Sequence, residues 1–399
     1  MSYFSNAVFN PNQLSLDAAS RVRVGQLTTR GDYKILNADR QLLWESAGTG
    51  TGTFSDNMFN MSVLSGQWYI RNSRRIHPYL SGKSQQVEWT FDKFGAQANV
   101  IKRFGYYSSV LTTPFATTFD GFWLENTGSS ITLNVSNAGT PTLDALDIAS
   151  WSGYSQLGEY QSITSWDNFT VVLFDFLWLG GAILRVWVRT SAGFILAHQF
   201  DYPGTARGVM MKSPNHPIRA EIRSSTGTGE FRPICAQVST EGSIENLGLT
   251  RSVDTGTTAI AVNSIGTKYP VLSIKKGTNY RDIDVQLIDA TILIGTADNL
   301  RWSMEINPTM SAPLSYSAVP NSAVEYALGN GTITVTSPGT VLASGYLSEA
   351  IPFPNGIFKE TILAHLSSPL TGAGDEFTLC LTPITSNISS FSSLIYKEF

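Results

Sequence analysis

Three groups of side chains in this sequence have the types and spacing to do chemistry. In "PNHPIRAEIRSS" (Pro214 to Ser225), Arg219, Glu221 and Arg223 stand at every-other spacing in a chain that is only 15% charged. On a strand, that spacing puts the three on one face and Ile218, Ala220 and Ile222 on the other. Arg185, Trp187 and Arg189 repeat the pattern against Leu184, Val186 and Val188. Asp175 sits in "VVLFDFLWLGG", a run apolar on both faces.

A carboxylate among arginines can act at a reacting bond, hold a ligand, or fix the register of a sheet. Glycoside hydrolysis needs two carboxylates on one wall, and Glu88, Asp175 and Glu221 are the candidates for a depolymerase. An acid flanked by two arginines stays ionised, which is wrong for a general acid. A ligand face would use Trp187 as a stacking platform for sugar beside Arg185, Arg189, Arg219 and Arg223. The third reading is architectural. Burying an unpaired carboxylate is costly, so Asp175 needs a cation or a raised pKa. With four arginines expected on neighbouring strands, a cross-strand ladder meets that need and sets register. It locks Glu221 between arginines and offers Arg219 or Arg185 to Asp175.

Other motifs carry less. "GKS" (Gly82 to Ser84) lacks the glycine five positions earlier that a phosphate loop requires, because His77 stands there. Gly48, Gly50 and Gly52 have neither the strand before nor the helix after that a nucleotide fingerprint needs, and read as a flexible linker. His77, His198, His216 and His365 have no metal-ligand spacing, and no nucleophile elbow or Ser, His and acid grouping is legible. "RGD" (Arg30 to Asp32) reads as a turn, and the sequon at Asn168 is uninformative. Cys235 and Cys380 are far apart and belong to no CxxC pair, which excludes a disulfide framework and a cysteine-rich zinc site. No cofactor is expected.

The elements that must position these residues are strands. Charge is scarce, aromatics reach 11%, and alternating runs recur at roughly ten-residue spacing between turn signals. "QQVEWTF", "GFWLEN", "SITLNVSN", "FTVVLFDFLWLGG", "ILRVWVRTSAG", "FILAHQF" and "IRAEIRSS" form one series. "TTAIAVNSI", "PVLSIKK", "DIDVQLID", "LRWSMEI", "GTITVTS" and "EFTLCLT" form a second. The expectation is an all-β chain of two tandem antiparallel β-sandwich, jelly-roll-like domains. An extended N-terminal docking arm covers residues 1–59, the first sandwich 60–245, and the second, with an oligomerisation role, 246–399. The arm is polar and low in complexity, with little to bury.

A net charge of −4 without a basic block argues against nucleic acid as a partner. The apolar stretch from Val171 to Val188 is interrupted by Asp175, Arg185 and Gly180-Gly181, so no membrane span is expected. The N-terminus lacks the basic start and apolar run of a secretory signal, which points to a cytoplasmically made chain.

Three stretches in this order also carry a family likeness: "DAASRVRVGQ" with "ADRQLLWESAGTGTGT"; "RRIHPYLSGKSQQVEWTF" with "KRFGYY"; and "FDFLWLGGAILRVWV" leading to "MKSPNHPIRAEIRSSTGTGEFRPICAQVSTEGS". Over roughly residues 17–350 the chain resembles a family of virion structural proteins of tailed bacteriophages. It departs from the family at Gly181-Ala182, where Gly-Val is common, and at Ala220, where Tyr or Trp is usual. The resemblance implies a non-enzymatic particle component in head decoration or fibre, neck or tail. Its partners would be other virion proteins (capsid, portal or neck, tail) and copies of itself, a trimer by analogy. A host-surface glycan is the alternative partner, and the virion the expected location.

Overall fold

The structure, a computed structural model, describes residues 16–18, 20–23, 25–35, 43–109, 118–178, 183–201, 209–241, 248–280, 282–294, 299–348, 365–366 and 374–399. It is all-β, with four short 3-10 turns between Ile148 and Asp167. The chain forms two compact units, Met1–Glu245 and, in the main, Asn246–Pro369 with Ala373–Phe399.

The first unit is a sandwich of two antiparallel sheets. One has eight strands, in the order Gly193–Asp201, Ile183–Thr190, Thr170–Leu177, Gln85–Asp92, Gly229–Glu241, Met58–Val63 and Thr51–Ser55, with Leu27–Lys34 also paired to Gly229–Glu241. The other has seven: Thr140–Asp147, Ile131–Asn137, Phe119–Asn126, Val100–Ser109, Ile218–Ser224, Trp68–Ser73 and Trp44–Gly48. Between them lies an aromatic core in which Phe91, Phe94, Phe104 and Phe231 meet within 6.3 Å, ring centre to ring centre. Ile218, Ala220 and Ile222 belong to it, as their alternation requires.

The expected arm is largely part of this sandwich. Residues 1–15 lie outside the described residues, but four strands between Leu27 and Val63 are built into the two sheets. The reason is aromatic: Tyr33, Trp44 and Phe59 are buried in the core, and the Arg71 guanidinium lies 3.8 Å from the Phe59 ring centre and 4.6 Å from that of Trp44. The run "SAGTGTGTFS" is no linker. A Cβ at Gly52 would sit 2.4 Å from both the Phe59 ring and the Tyr69 hydroxyl, so the glycine is there to let strands close up.

The second unit pairs a four-stranded sheet (Leu249–Asp254, Ile260–Val262, Val285–Ile294 and Ile388–Glu398) with a six-stranded one. The latter runs Ser317–Ala318, Val324–Leu328, Tyr269–Lys276, Glu376–Pro383, Leu300–Ile306 and Thr340–Leu347. Leu272, Ile274, Met304 and Leu379 from the larger sheet pack with Val285, Leu287, Leu394 and Tyr396 from the smaller. Ile388–Glu398 bonds to the other three strands of its sheet, yet its Ser-rich alternation, "ISSFSSLIYKE", escaped the sequence reading.

Candidate functional site

The Arg219, Glu221 and Arg223 stripe is on the outer face of the seven-stranded sheet, opposite the core residues of its own strand. Glu221 pairs with Arg103 on one neighbouring strand and Ile70 on the other. Its carboxylate is fully buried, with Oε1 2.5 Å from Arg219 Nε and Oε2 3.2 Å from an Arg103 terminal nitrogen. Arg103 continues to Glu125 on the next strand, Nε to Oε2 at 2.5 Å. Burial works against the Arg103 charge, but Glu221 and Glu125 outweigh it and hold the guanidinium above its ordinary pKa. The row Arg219, Glu221, Arg103, Glu125 is a ladder across three strands.

Aromatic rings lie beside it. Tyr107, Phe119 and Trp123 form a buried cluster on the same face, with Arg103 5.2 Å from the Phe119 ring centre and Arg219 5.7 Å from that of Tyr107. Gly105 faces Trp123 and Gly121 faces Tyr107 across the strand pair. A Cβ on Gly121, whose φ is +116°, would meet Tyr107 Cα at 2.7 Å, so a side chain there is excluded twice over. The Tyr107 hydroxyl has no hydrogen-bond partner among the described residues. Burial, then the Glu221 charge, pushes its pKa well above the usual value.

Arg185, Trp187 and Asp175 are on the other sheet. The strand carrying Arg185 and Arg189 does not neighbour the one carrying Arg219, so the expected single cluster of four arginines is two separate rows, and Arg219 does not serve Asp175. Asp175 stands opposite Arg185 in register, but its ion pair is with Arg23, 2.7 Å away. Arg23 also reaches Glu241 at 2.6 Å, and Ser84 Oγ donates to Asp175 at 2.5 Å. Burial raises the Asp175 pKa against the pull of Arg23 and Ser84.

Arg185 is turned the other way. It donates to the Asp17 carbonyl at 2.7 Å, Ser20 Oγ at 2.6 Å and Gln199 at 2.9 Å. A short segment, Leu16–Ala18 and Ser20–Arg23, is therefore clipped to the outer face of the eight-stranded sheet by reciprocal charged contacts. Its hairpin shape comes from a Leu16 to Val22 bridge and from Asp17, which accepts from the Arg21 backbone at 2.8 Å. "SRVRVGQ" held the signal, since Arg21 and Arg23 alternate with valines.

Trp187 is 2% exposed and packs with Leu173 and Leu196, which removes the stacking platform expected of it. Of that row only Arg189 is exposed. Glu88 and Asp175 share a sheet face two residues out of step, and burial raises both pKa values. Glu221 belongs to the other sheet, and the clip covers Asp175.

One constellation was not legible in the sequence. Ser108 Oγ lies 3.2 Å from His216 Nδ1, and His216 Nε2 lies 3.4 Å from Asp120 Oδ2. Asp120 accepts three backbone N–H bonds, from Ala138, Lys212 and Ser213. Burial raises its pKa, but the His216 contacts and these N–H groups more than offset that, and the net shift is downward. An acid so engaged anchors two loops and has little left for a relay, and 3.4 Å is long for a hydrogen bond. Among the described residues, no group of three His, Cys, Asp or Glu side chains is placed to hold a metal ion. Nor is any helix among them long and apolar enough to cross a membrane.

No family model and no curated protein matches the chain. Among solved structures, it is similar to the Emp47p carbohydrate recognition domain at 12% identity, covering 55% of this chain and 98% of that one, with a TM-score of 0.36. A Bacillus licheniformis beta-glucanase matches at 11% identity, 54% and 100% coverage, and a TM-score of 0.33. A Bacillus subtilis protein of unknown function with a galectin-like fold matches at 11%, 55% and 100%, and 0.35. At these TM-scores the likenesses carry no argument about ligand or activity.

Proposed function

We propose that this chain is a non-enzymatic structural component of a bacteriophage particle. In this reading it assembles as a homo-oligomer, three-fold by analogy, and its first fifteen residues attach it to a capsid, connector or tail surface. The observation that carries the reading is the use made of buried charge. Arg219, Glu221, Arg103 and Glu125 tie three strands together, and Arg23, Asp175, Glu241 and Arg185 tie the N-terminal segment to a sheet. Buried ionic rows of this kind specify register and orientation more than they add stability, which suits a part that must present one fixed surface to its neighbours. The resemblance over residues 17–350 supports the same class.

Mass spectrometry and cryo-electron microscopy of particles purified away from lysate test this. The chain should be present at a fixed copy number, and removal of residues 1–15 should leave a folded protein that no longer joins particles. Absence from the particles, or normal incorporation of the truncated form, would overturn it.

A glycan-binding role has one observation in its favour. Arg223 is exposed and is flanked in register by Trp68 and Ile101, both half-buried, on the outer face of the seven-stranded sheet. A tryptophan face beside a guanidinium is a platform for a sugar ring. Binding on a glycan array that is lost in Trp68→Ala would support this second reading; an array blank for the parent protein would remove it.

A further inference from the structure

We infer that the clip formed by Leu16–Ala18 and Ser20–Arg23 is exchangeable between copies of this chain, so that in the oligomer the socket on one copy holds the clip of another. The socket is Asp175, Glu241, Ser84 and Arg185, on the outer face of the eight-stranded sheet. With the clip seated, Asp175 and Glu241 are 2% and 7% exposed, and Arg23 bridges them. Two adjacent carboxylates repel each other once the cation between them leaves. The acid pair therefore favours a guanidinium in the site.

The clip's hold is almost wholly polar. Arg23 enters the acid pair, the Ala18 N–H donates to Ser84 at 3.3 Å, and Arg21 donates to the Gly82 carbonyl at 3.0 Å. Arg185 closes on the clip from the sheet side. Ala18 is buried, whereas Val22 is 68% exposed. None of Leu16, Ala18 and Val22 belongs to the core between the two sheets, so release leaves that core in place.

Three residues, one of them Gly25, separate Arg23 from the strand that begins at Leu27. A short hinge after a self-contained segment is the arrangement that favours swapping. The clip of a second copy makes the same bonds, so exchange creates and loses no contact. What selects the trans form is the local concentration of clips, which assembly raises.

The test uses full-length chain in a Cys235→Ser background. One variant carries Ser20→Cys and another Gln199→Cys, residues that both touch the Arg185 guanidinium. The two are mixed across a concentration range and treated with a short bismaleimide. Exchange gives a band at twice the chain mass that neither variant gives alone, and peptide mapping joins residues 20 and 199. Adding Arg23→Glu to the Ser20→Cys copy should abolish the band, since a carboxylate cannot enter the acid pair. The double variant, Ser20→Cys with Gln199→Cys, should link internally when dilute and between copies when concentrated. Internal links alone at every concentration would overturn the inference, as would no link at all. A positive result does not depend on finding the chain in particles, so this inference and the proposed function fail separately.

Discussion

Replacing Glu221 with Gln keeps the volume of the side chain and removes its charge. Both carboxylate oxygens are engaged, one by Arg219 and one by Arg103, in a site with no exposure to solvent. The new amide can offer one oxygen to one guanidinium, but its NH₂ then faces the donors of the other. Removing one partner of a buried ion pair typically costs about 3–5 kcal/mol. Arg103 retains Glu125, so the lower end of that range applies. For a unit of this size, about 3 kcal/mol lowers the melting temperature by roughly 6–12 °C. Glu125→Gln is the internal comparison: its side chain is 18% exposed, and besides Arg103 it meets only a long 3.5 Å contact from the Trp123 indole among the described hydrogen bonds, so a loss of about 1 kcal/mol is expected for it. The double variant removes both of these carboxylates from Arg103, and its loss should exceed the sum of the two by about 1 kcal/mol or more. Calorimetry of the full chain reads all three. A Glu221→Gln protein that melts within about 1 °C of the parent would refute the ladder as a structural device. Normal melting with lost ligand binding would make Glu221 a binding residue instead.

Arg23→Met should destabilise the first unit by about 3–5 kcal/mol near neutral pH, and Asp175→Asn by less, because the former leaves two buried acids together. The folded-state pKa of Asp175 is already raised, and losing Arg23 raises it further, so the folded variant takes up protons that the unfolded chain does not. Its deficit against the parent should therefore shrink as the pH is lowered toward about 4 in urea titrations; a constant deficit would contradict this. Tyr107→Phe removes a buried hydroxyl without a partner among the described residues, and should leave stability unchanged or raise it by up to about 1 kcal/mol. Chemical denaturation showing a clear loss would mean the hydroxyl is bonded. Burial pushes the His198 pKa from 6.5 to about 4. The unfolded chain then binds the extra proton, and this group's contribution to stability, full above the ordinary value, is lost as the pH falls toward the lowered one. An imidazole NMR titration with its midpoint near the ordinary value would overturn that assignment.

The alternation in "IRAEIRSS" was enough to place Ile218, Ala220 and Ile222 in the core and the charges on the opposite face, because period two is a local property of a strand. Which strands lie beside it is not local. Arg185 and Arg189 are the neighbours that alternation alone suggests for Arg219, whereas the true neighbours come from Val100–Ser109 and Trp68–Ser73. In "VIKRFGYYSS", adjacent Lys102 and Arg103 face opposite sides, with Lys102 Nζ bonded to the Lys93 and Gly95 carbonyls. That pair of adjacent cations hid both the strand and the arginine that Glu221 needs. The arm differs for a related reason: residues 27–59 are polar in bulk, but Tyr33, Trp44 and Phe59 at intervals are sufficient to anchor the strands to a core supplied by the rest of the unit. Arg23 was missed because its partners, Asp175 and Glu241, are 152 and 218 residues away.

The strand Gly229–Glu241 pairs with Leu27–Lys34, with Met58–Val63 and with Gln85–Asp92. On a ribosome this makes the first strand of the unit wait for its last. At roughly 5–20 residues per second, Leu27–Lys34 stands without its partner for some tens of seconds before Glu241 is made. Throughout that delay the edge of Leu27–Lys34 is open to pairing with the wrong strand. A synonymous change that slows synthesis between residues 100 and 225 should then alter the yield of folded protein without altering a single side chain.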